Sequence, residues 1–425
     1  MSQNPVLDSA PVRRTERAFS LRHSFNRAGW LKTQRSLFLV APLLIFVVVC
    51  FLFPIGSILS MSVSNPELND ALPQTSQALA KWDGKALPNE SLYALLAKEV
   101  SAAREQGQIS GIAKRLSYED NAFRRLILAV PRQAPEDGLN VKATLIDKQP
   151  LWGELSTWQT LQRVAKPYTS YYLLSVFDHK VDARTGEITA QSPDQAPDQA
   201  LYVNVLLRTL WMATVVTLLC VGLGYPLAYW LAKQPSNRAN LLMIMVLLPF
   251  WTSLIVRTAS WIVLLQSGGL INRTLMGTGL IDSPLTLVFN RVGVYISMTH
   301  ILLPFIVLPL YAVMKGISPS YVRAAVSLGA HPFVAFWRVY VPQTFAGITA
   351  GALLVFMMAI GYYVTPALLG GPDDQMVSYF VAFFTNSTMN WGMAAALGSQ
   401  LLIIVTLLYV VYSRVTRTSS EAAVR

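Results

Sequence analysis

Arg257 interrupts the apolar run FWTSLIVRTASWIVLLQ, and it is the side chain in the sequence with the most to explain. A guanidinium at that depth in an apolar segment is costly unless it is paired or faces water. It therefore marks a solute pathway or gate, or else a bond to a helix end or a free carbonyl. Arg208 lies near the start of another apolar run, where its long stem can carry the charge back to an interface. Trp251, Trp261, Tyr362 and Tyr363 offer π faces that attract ammonium groups, and they equally suit packing or an interfacial aromatic belt. Asp282, Asp373 and Asp374 could guide a cation, although Gly370-Gly371-Pro372-Asp373 also reads as a turn. Arg257, Trp251, Trp261, Tyr362, Tyr363 and Asp373 are thus the pathway candidates.

No covalent chemistry is indicated. The four histidines, His23, His179, His300 and His331, fall on separate segments. A membrane-embedded active site would need convergent nucleophiles or metal ligands. There is no G-x-S-x-G elbow and no G-x-x-x-x-G-K-[ST] phosphate loop. Cys50 and Cys220 both lie in apolar runs with no C-x-x-C pairing and read as small buried hydrophobes. The expectation is a chain with no catalytic residue, no metal site and no cofactor of its own.

The elements that must position these residues are membrane spans. With 53% hydrophobic and only 13% charged residues, the chain is far poorer in charge than a soluble domain. A helix needs about 20 mostly apolar residues to cross the hydrocarbon core, and six segments qualify, at 36–61, 205–232, 241–266, 292–314, 344–370 and 394–412. The net charge of +11 is unevenly placed. Residues 62–202 hold 15 basic and 17 acidic side chains, and the remainder holds 19 and 6. The basic residues flank apolar runs instead of lining one polar face, which argues against a nucleic-acid partner and for the positive-inside rule.

Arg13, Arg14, Arg17, Arg22, Arg27, Lys32 and Arg35 precede the first span and predict a cytoplasmic N-terminus. Six crossings then place Lys233, Arg238, Lys315, Arg323, Arg338, Arg414, Arg417 and Arg425 on the same side, with a cytoplasmic C-terminus. The apolar run at 36–61 is too long for the core of a cleaved signal peptide, and it reads as a retained span. The chain accordingly divides into a basic cytoplasmic segment (1–35), the first span (36–61), an extracytoplasmic insert (62–202), a core of five spans (203–414) and a cytoplasmic tail (415–425).

The insert reads as a folded, mainly helical domain. LYALLAKEVSAAREQGQISGIAKRLSYEDNAFRRLILAV and TWQTLQRVAKPYTSYYLLSVF place apolar residues at helical spacing. DHKVDARTGEITAQ reads as a hairpin around Thr185-Gly186, and SPDQAPDQA as a polar connector. A structural or docking role is expected.

Between the fourth and fifth spans lies SPSYVRAAVSLGAHPFVAFWRVYVP (318–342), basic and free of acidic residues. Ser318 with Pro319 is a helix-start signal, and Gly329 with Ala330-His331-Pro332 stops that helix before another begins. Phe333, Phe336 and Trp337 form an apolar face, and Pro342 is expected to reset the chain before the fifth span. By composition alone the loop also suits an amphipathic hairpin on the bilayer surface.

The run Ala324-Ala325-x3-Gly329, followed at thirteen residues by Pro342 with Val339 and Val341 before it, resembles the coupling loop of ABC importer permeases. In those the pattern is E-A-A-x3-G and then I-x-L-P. LLRTLWMATVVTLLCVGLGYPLAYWLA, LLPFWTSLIVRTASWIVLLQSGGLIN and LLPFIVLPLYAVMKGIS are similar to permeases of the spermidine/putrescine type, over nearly all of residues 203–342. The resemblance implies an all-α membrane protein with the type I ABC importer permease fold. It also implies ATPase-coupling roles for Arg323, Ala324, Ala325, Gly329, Phe336 and Pro342. Arg323 stands where the family carries Glu.

Implied partners are an ATP-binding cassette ATPase dimer that uses ATP and Mg, a second permease subunit, homologous to this chain, an extracytoplasmic substrate-binding protein, and membrane lipid. The implied cargo is polyamines or related small organic amines and amino acids, moved across a bacterial inner membrane. The rivals are an ion-coupled secondary carrier, which would normally show ionisable residues near the midplane and two similar halves, and a membrane-anchored sensor whose insert alone would bind a ligand.

Overall fold

A computed structural model of the chain describes residues 38–135, 140–182, 186–191 and 202–424, with side chains as far as Arg414. The basic N-terminal residues, the hairpin apex at Thr185, the SPDQAPDQA connector and the side chains of Arg417 and Arg425 lie outside this range. The chain forms two units, Met1–Ser60 and Met61–Arg425. Among the described residues six helical segments are long and apolar enough to cross a bilayer, Phe38–Met61, Tyr202–Ala232, Leu254–Gly277, Arg291–Gly316, Pro332–Ile360 and Trp391–Arg414, the third of them interrupted between Leu265 and Leu270.

The first unit is built on α1, Phe38–Met61, whose 24 residues extend about 36 Å at 1.5 Å per residue. It contains a π turn, Val48–Leu52, in which the Phe53 N–H bonds back to the Val48 carbonyl. Pro54 follows directly. A proline removes one helical donor and crowds the carbonyl of the preceding turn, and the wider π turn accommodates both.

In the second unit, residues 62–191 form α2 (Pro66–Ala71), α3 (Pro73–Lys81), α4 (Glu90–Glu105), α5 (Ile109–Ser117), α6 (Ala122–Gln133), α7 (Val141–Lys148), α8 (Leu155–Val164) and α9 (Tyr171–Val176), and an antiparallel hairpin of β1 (His179–Val181) and β2 (Ile188–Ala190). Both stretches with helical spacing are helical, and the hairpin forms with Gly186 at φ +72°.

Leu96, Val100, Ile112, Leu116, Ile127, Leu145 and Leu161 fill one core around Tyr93, Trp152 and Trp158. The Tyr93 hydroxyl donates to the Trp152 carbonyl at 2.5 Å, and the Trp158 indole N–H reaches the same carbonyl at 3.1 Å. The two ends of this helical region are zipped together. Asn65 N–H bonds the Pro167 carbonyl at 3.0 Å, and Thr169 N–H bonds that of Val63 at 2.8 Å. Arg115, buried to 2% exposure, locks the zip by bonding Asn65 Oδ1 at 2.8 Å and Glu119 at 3.2 Å.

The remaining helices are α10 (Tyr202–Ala232), α11 (Ser236–Leu247), α12 (Leu254–Leu265), α13 (Leu270–Gly277), α14 (Arg291–Gly316), α15 (Ser320–Ser327), α16 (Pro332–Ile360), α17 (Val364–Leu369), α18 (Val377–Asn386) and α19 (Trp391–Val424). Helices α10, α14 and α16 pack as a trio around Met212, Val216, Cys220, Met298, Leu302, Val307 and Val355. Ile306 is seated between two glycines. A Cβ at Gly224 would lie 2.6 Å from it and one at Gly351 2.5 Å, so both glycines are required by the approach of the neighbouring helices.

Three sequence expectations are corrected. The span expected at 241–266 is broken: α11 ends in a 3-10 turn, Leu248–Trp251, and Thr252 and Ser253 are extended before α12 begins. Pro249 removes a donor there, and the Thr252 hydroxyl donates to the Pro249 carbonyl at 2.8 Å, so the backbone finds partners without continuing the helix. The span expected at 344–370 instead starts at Pro332 and stops at Ile360, with Gly361, Tyr362 and Tyr363 leaving the helix. Pro342 does not reset the chain. A second π turn, Phe336–Tyr340, precedes it, with the Val341 N–H bonded to the Phe336 carbonyl, and α16 runs through.

The helical region after α1 is anchored on the core of α10 and α19. Asp178 accepts the first free N–H groups of α10, Tyr202 at 2.7 Å and Val203 at 3.0 Å, and a carboxylate is favoured at that helix end. Tyr172 covers Gly392 so closely that a Cβ there would fall 2.4 Å from its ring. Lys114 Nζ bonds the Thr388 carbonyl between α18 and α19.

Candidate functional site

The 318–342 loop is built from its caps. The Ser318 hydroxyl accepts the Ser320 N–H at 3.3 Å and starts α15. Gly329 ends it at φ +94°, with Gly329 N–H bonded to the Val326 carbonyl at 2.9 Å and Ala330 N–H to that of Ala325 at 3.1 Å. That pair of bonds is the glycine-terminated Schellman arrangement. His331 Nδ1 then accepts the Phe333 N–H at 3.3 Å and caps α16. The sequence reading missed this role for His331, although a polar residue directly before Pro332 is a helix-start signal.

Arg323, Ala324, Gly329 and Pro342 are exposed, and Ala325 is half-buried. Phe336 turns inward, 5.3 Å from the Tyr229 ring, 6.5 Å from Tyr225 and stacked on Tyr340 at 5.6 Å. It anchors the loop to α10 and leaves the outward apolar surface to Tyr321, Leu328, Phe333 and Trp337. Leu328 is 89% exposed, an unusual state for a leucine at a defined turn.

Of the pathway candidates Arg257, Trp261 and Tyr362 come together, and Trp251, Tyr363 and Asp373 stand apart from them. Arg257 lies one turn into α12, where its Nη2 bonds the Thr252 carbonyl at 3.0 Å and so satisfies an acceptor freed by the helix break, while its buried Nε has no partner among the described residues. Trp261, one turn further on, donates from Nε1 to His300 Nδ1 at 3.3 Å, joining α12 to α14. Arg257 interacts electrostatically with both His300 and Tyr362. A hydrogen bond of 3.2 Å between Thr258 and Thr365 closes α12 on α17. Arg257, Trp261, His300 and Tyr362 therefore form one polar-aromatic cluster between α12, α14 and α17. His300 was overlooked for want of a second histidine nearby, yet an imidazole inside YISMTHILLPF was itself the signal.

Trp251 stands apart on the 3-10 turn, 75% exposed. Tyr363 faces Tyr379 of α18 at 6.3 Å. Asp373 is exposed in the Pro372–Asp374 turn, where its backbone does the work. Its carbonyl accepts Arg208 Nη1 at 2.5 Å and Arg291 Nη2 at 3.4 Å. The buried carboxylate is Asp374, paired with Arg291 Nε at 2.7 Å and accepting the Gly371 N–H at 3.1 Å. Two arginines from α10 and α14 thus clamp the turn that leads into α18. Among the described residues no group of His, Cys, Asp and Glu is arranged to hold a metal ion.

Comparison with known proteins matches residues 224–420 to the family profile "Binding-protein-dependent transport system inner membrane component". The spermidine/putrescine transport system permease protein PotB of Escherichia coli K12 is 36% identical over 217 residues, covering 51% of this chain and 79% of that protein. PotB of Haemophilus influenzae is 33% identical over the same length, covering 51% and 76%. The inner membrane ABC transporter permease protein YdcU of E. coli K12 is 31% identical over 245 residues, covering 54% and 77%. Among solved structures, a chain of a bacterial alginate ABC transporter in complex with an alginate pentasaccharide-bound periplasmic protein aligns at a TM-score of 0.43 and 15% identity, covering 54% of this chain and 83% of that one.

Proposed function

This chain belongs to the inner-membrane permeases of binding-protein-dependent ABC importers, of the spermidine/putrescine type, and from that premise we propose how it works. The 318–342 loop faces the cytoplasm and docks in a cleft of a partner ATP-binding cassette ATPase, which binds ATP and Mg in a dimer and hydrolyses the nucleotide. Both termini share that side, and residues 62–202 lie in the periplasm. A loaded substrate-binding protein docks on the periplasmic side, and a second, homologous permease completes the pathway. Closure of the ATPase pair is transmitted through α15 and the continuous α16, and the spans alternate access for polyamines or related small organic amines and amino acids.

One observation carries this reading. The loop is a capped helix pair that leaves Leu328 and Phe333 uncovered by the rest of the chain, at 89% and 66% exposure, while Phe336 bolts the same segment to α10. Exposed apolar side chains on a defined surface mark a docking site, and continuity with α16 supplies the lever.

The test is co-purification of the detergent-solubilised permease with its co-expressed ATPase, wild type against Leu328→Asp. Retention by wild type and loss by the variant, at equal permease abundance, is the expected result. An ATPase bound equally by both removes the loop from the coupling interface.

A further inference from the structure

Tyr379 and Phe383 are four residues apart on α18, so one helix face carries both rings. Their centroids are 6.5 Å apart and their planes differ by only 14°. Tyr363, at the break after α16, adds a third ring 6.3 Å from Tyr379. Tyr363 and Phe383 are each 40% exposed. The row is held from behind, since Tyr379 meets Phe380 edge-on at 5.4 Å and Phe380 meets Tyr202 of α10 edge-on at 5.9 Å.

Tyr363 and Phe383 are exposed, and Tyr379 between them is half-buried. Among the described residues the chain's own lysines and arginines stand over Tyr93, Tyr171, Tyr172 and Tyr229, and over none of these three. The row lies on the short apolar helix α18 and the break after α16, outside the six candidate spans, and those spans contain no Asp or Glu among the described residues, so aromatic π quadrupoles are the groups there that attract an ammonium. The spacing is itself selective. A 1,4-diamine separates its nitrogens by five bonds, roughly 6 Å when extended with bonds near 1.5 Å, and that matches the separation of neighbouring rings in the row.

We propose that Tyr363, Tyr379 and Phe383 form an amine subsite in which successive rings each receive one ammonium of an extended diamine or triamine. The proposal rests on the polyamine reading above and adds to it a location and a ruler. Trp251 and Trp261, the other aromatic candidates, contribute nothing to this row.

The experiment is uptake of radiolabelled putrescine by cells co-expressing the permease with its ATPase, second permease and binding protein. Tyr379→Leu and Phe383→Leu keep apolar volume and remove the π face, and Tyr379→Phe keeps the face and removes the hydroxyl. The expected result is maximal uptake reduced about threefold to tenfold in each Leu variant, with Tyr379→Phe close to wild type and permease abundance and ATPase retention unchanged. If Leu lowers abundance, Met at the same position is used in its place. Leu variants that transport at the wild-type rate overturn the subsite and leave the importer reading standing. A wild-type transporter that moves neither putrescine nor spermidine overturns both.

Discussion

Gly329 is the position at which one backbone angle governs the docking loop, and its substitution can be worked through quantitatively. Its φ of +94° lies in the left-handed region, where an L residue with a Cβ is disfavoured by roughly 1–2 kcal/mol. A Cβ at this position would meet nothing within 4 Å, so the cost is entirely backbone strain, without a packing clash. At a factor of ten per 1.4 kcal/mol, Gly329→Ala shifts the ratio of bent to unbent loop about 5- to 30-fold against the bent form. The two closing hydrogen bonds, at 2.9 and 3.1 Å, are lost together when the bend opens. Gly329→Asn should cost less, because Asn tolerates this region, and Gly329→Val more, because its branched Cβ does not.

The assay is ATPase co-purification and ATP-driven uptake across this series at matched permease abundance. The expected order is Gly, Asn, Ala, Val, and it follows backbone tolerance instead of side-chain volume or polarity. A Val variant that couples as well as wild type, or a ranking in which Ala outperforms Asn, refutes the claim that the bend organises the docking surface.

The packing of Tyr172 on Gly392 predicts that Gly392→Ala displaces α9 from α19, because a ring cannot yield to a Cβ at 2.4 Å. Overpacking of this kind typically costs about 1–3 kcal/mol, and limited proteolysis of residues 62–202 should accelerate. Arg115→Met leaves Glu119 buried with only Arg163, at 3.4 Å, and deprives Asn65 Oδ1 of its donor. Removing one partner of a buried pair costs about 3–5 kcal/mol, so thermal unfolding read by tryptophan fluorescence should show the helical region around Trp152 and Trp158 melting earlier. Burial pushes the Tyr118 phenol up to about 12, and the charge of Tyr171 adds to the effect; burial also raises Tyr171 and Tyr172. The folded state then holds protons that the unfolded chain releases near pH 10, so the stabilisation is complete below that pH and is lost as pH rises through about 12. Tyrosinate absorbance in an alkaline titration should show these tyrosines ionising late, together with loss of helix.

Much of this architecture was written in local sequence. Long uninterrupted apolar runs dictate α1, α10, α14 and α19, because lipid leaves no alternative to helical self-satisfaction of the backbone. Ser318, Pro319 and Gly329 fixed the start and stop of α15, since caps and left-handed turns are decided by the few residues at a helix end. The helical periodicity of residues 92–130 and 157–177 was equally local.

What needed the tertiary structure was every statement about which side chain meets which. Pro249 and Pro342 carry the same missing donor, yet one chain breaks and the other continues through a π turn, because the outcome depends on which neighbouring groups take up the freed backbone carbonyls. Phe336 and Phe333 were equivalent on an apolar face until the rings of α10 claimed one and left the other uncovered. Asp373 and Asp374 were indistinguishable until Arg208 and Arg291, 83 residues apart in the chain, took the carbonyl of the first and Arg291 the carboxylate of the second. The row of Tyr363, Tyr379 and Phe383 joins a helix break to a helix beyond it. A composition and a periodicity specify which faces exist, and only the folded packing of distant segments decides which of them are buried against one another.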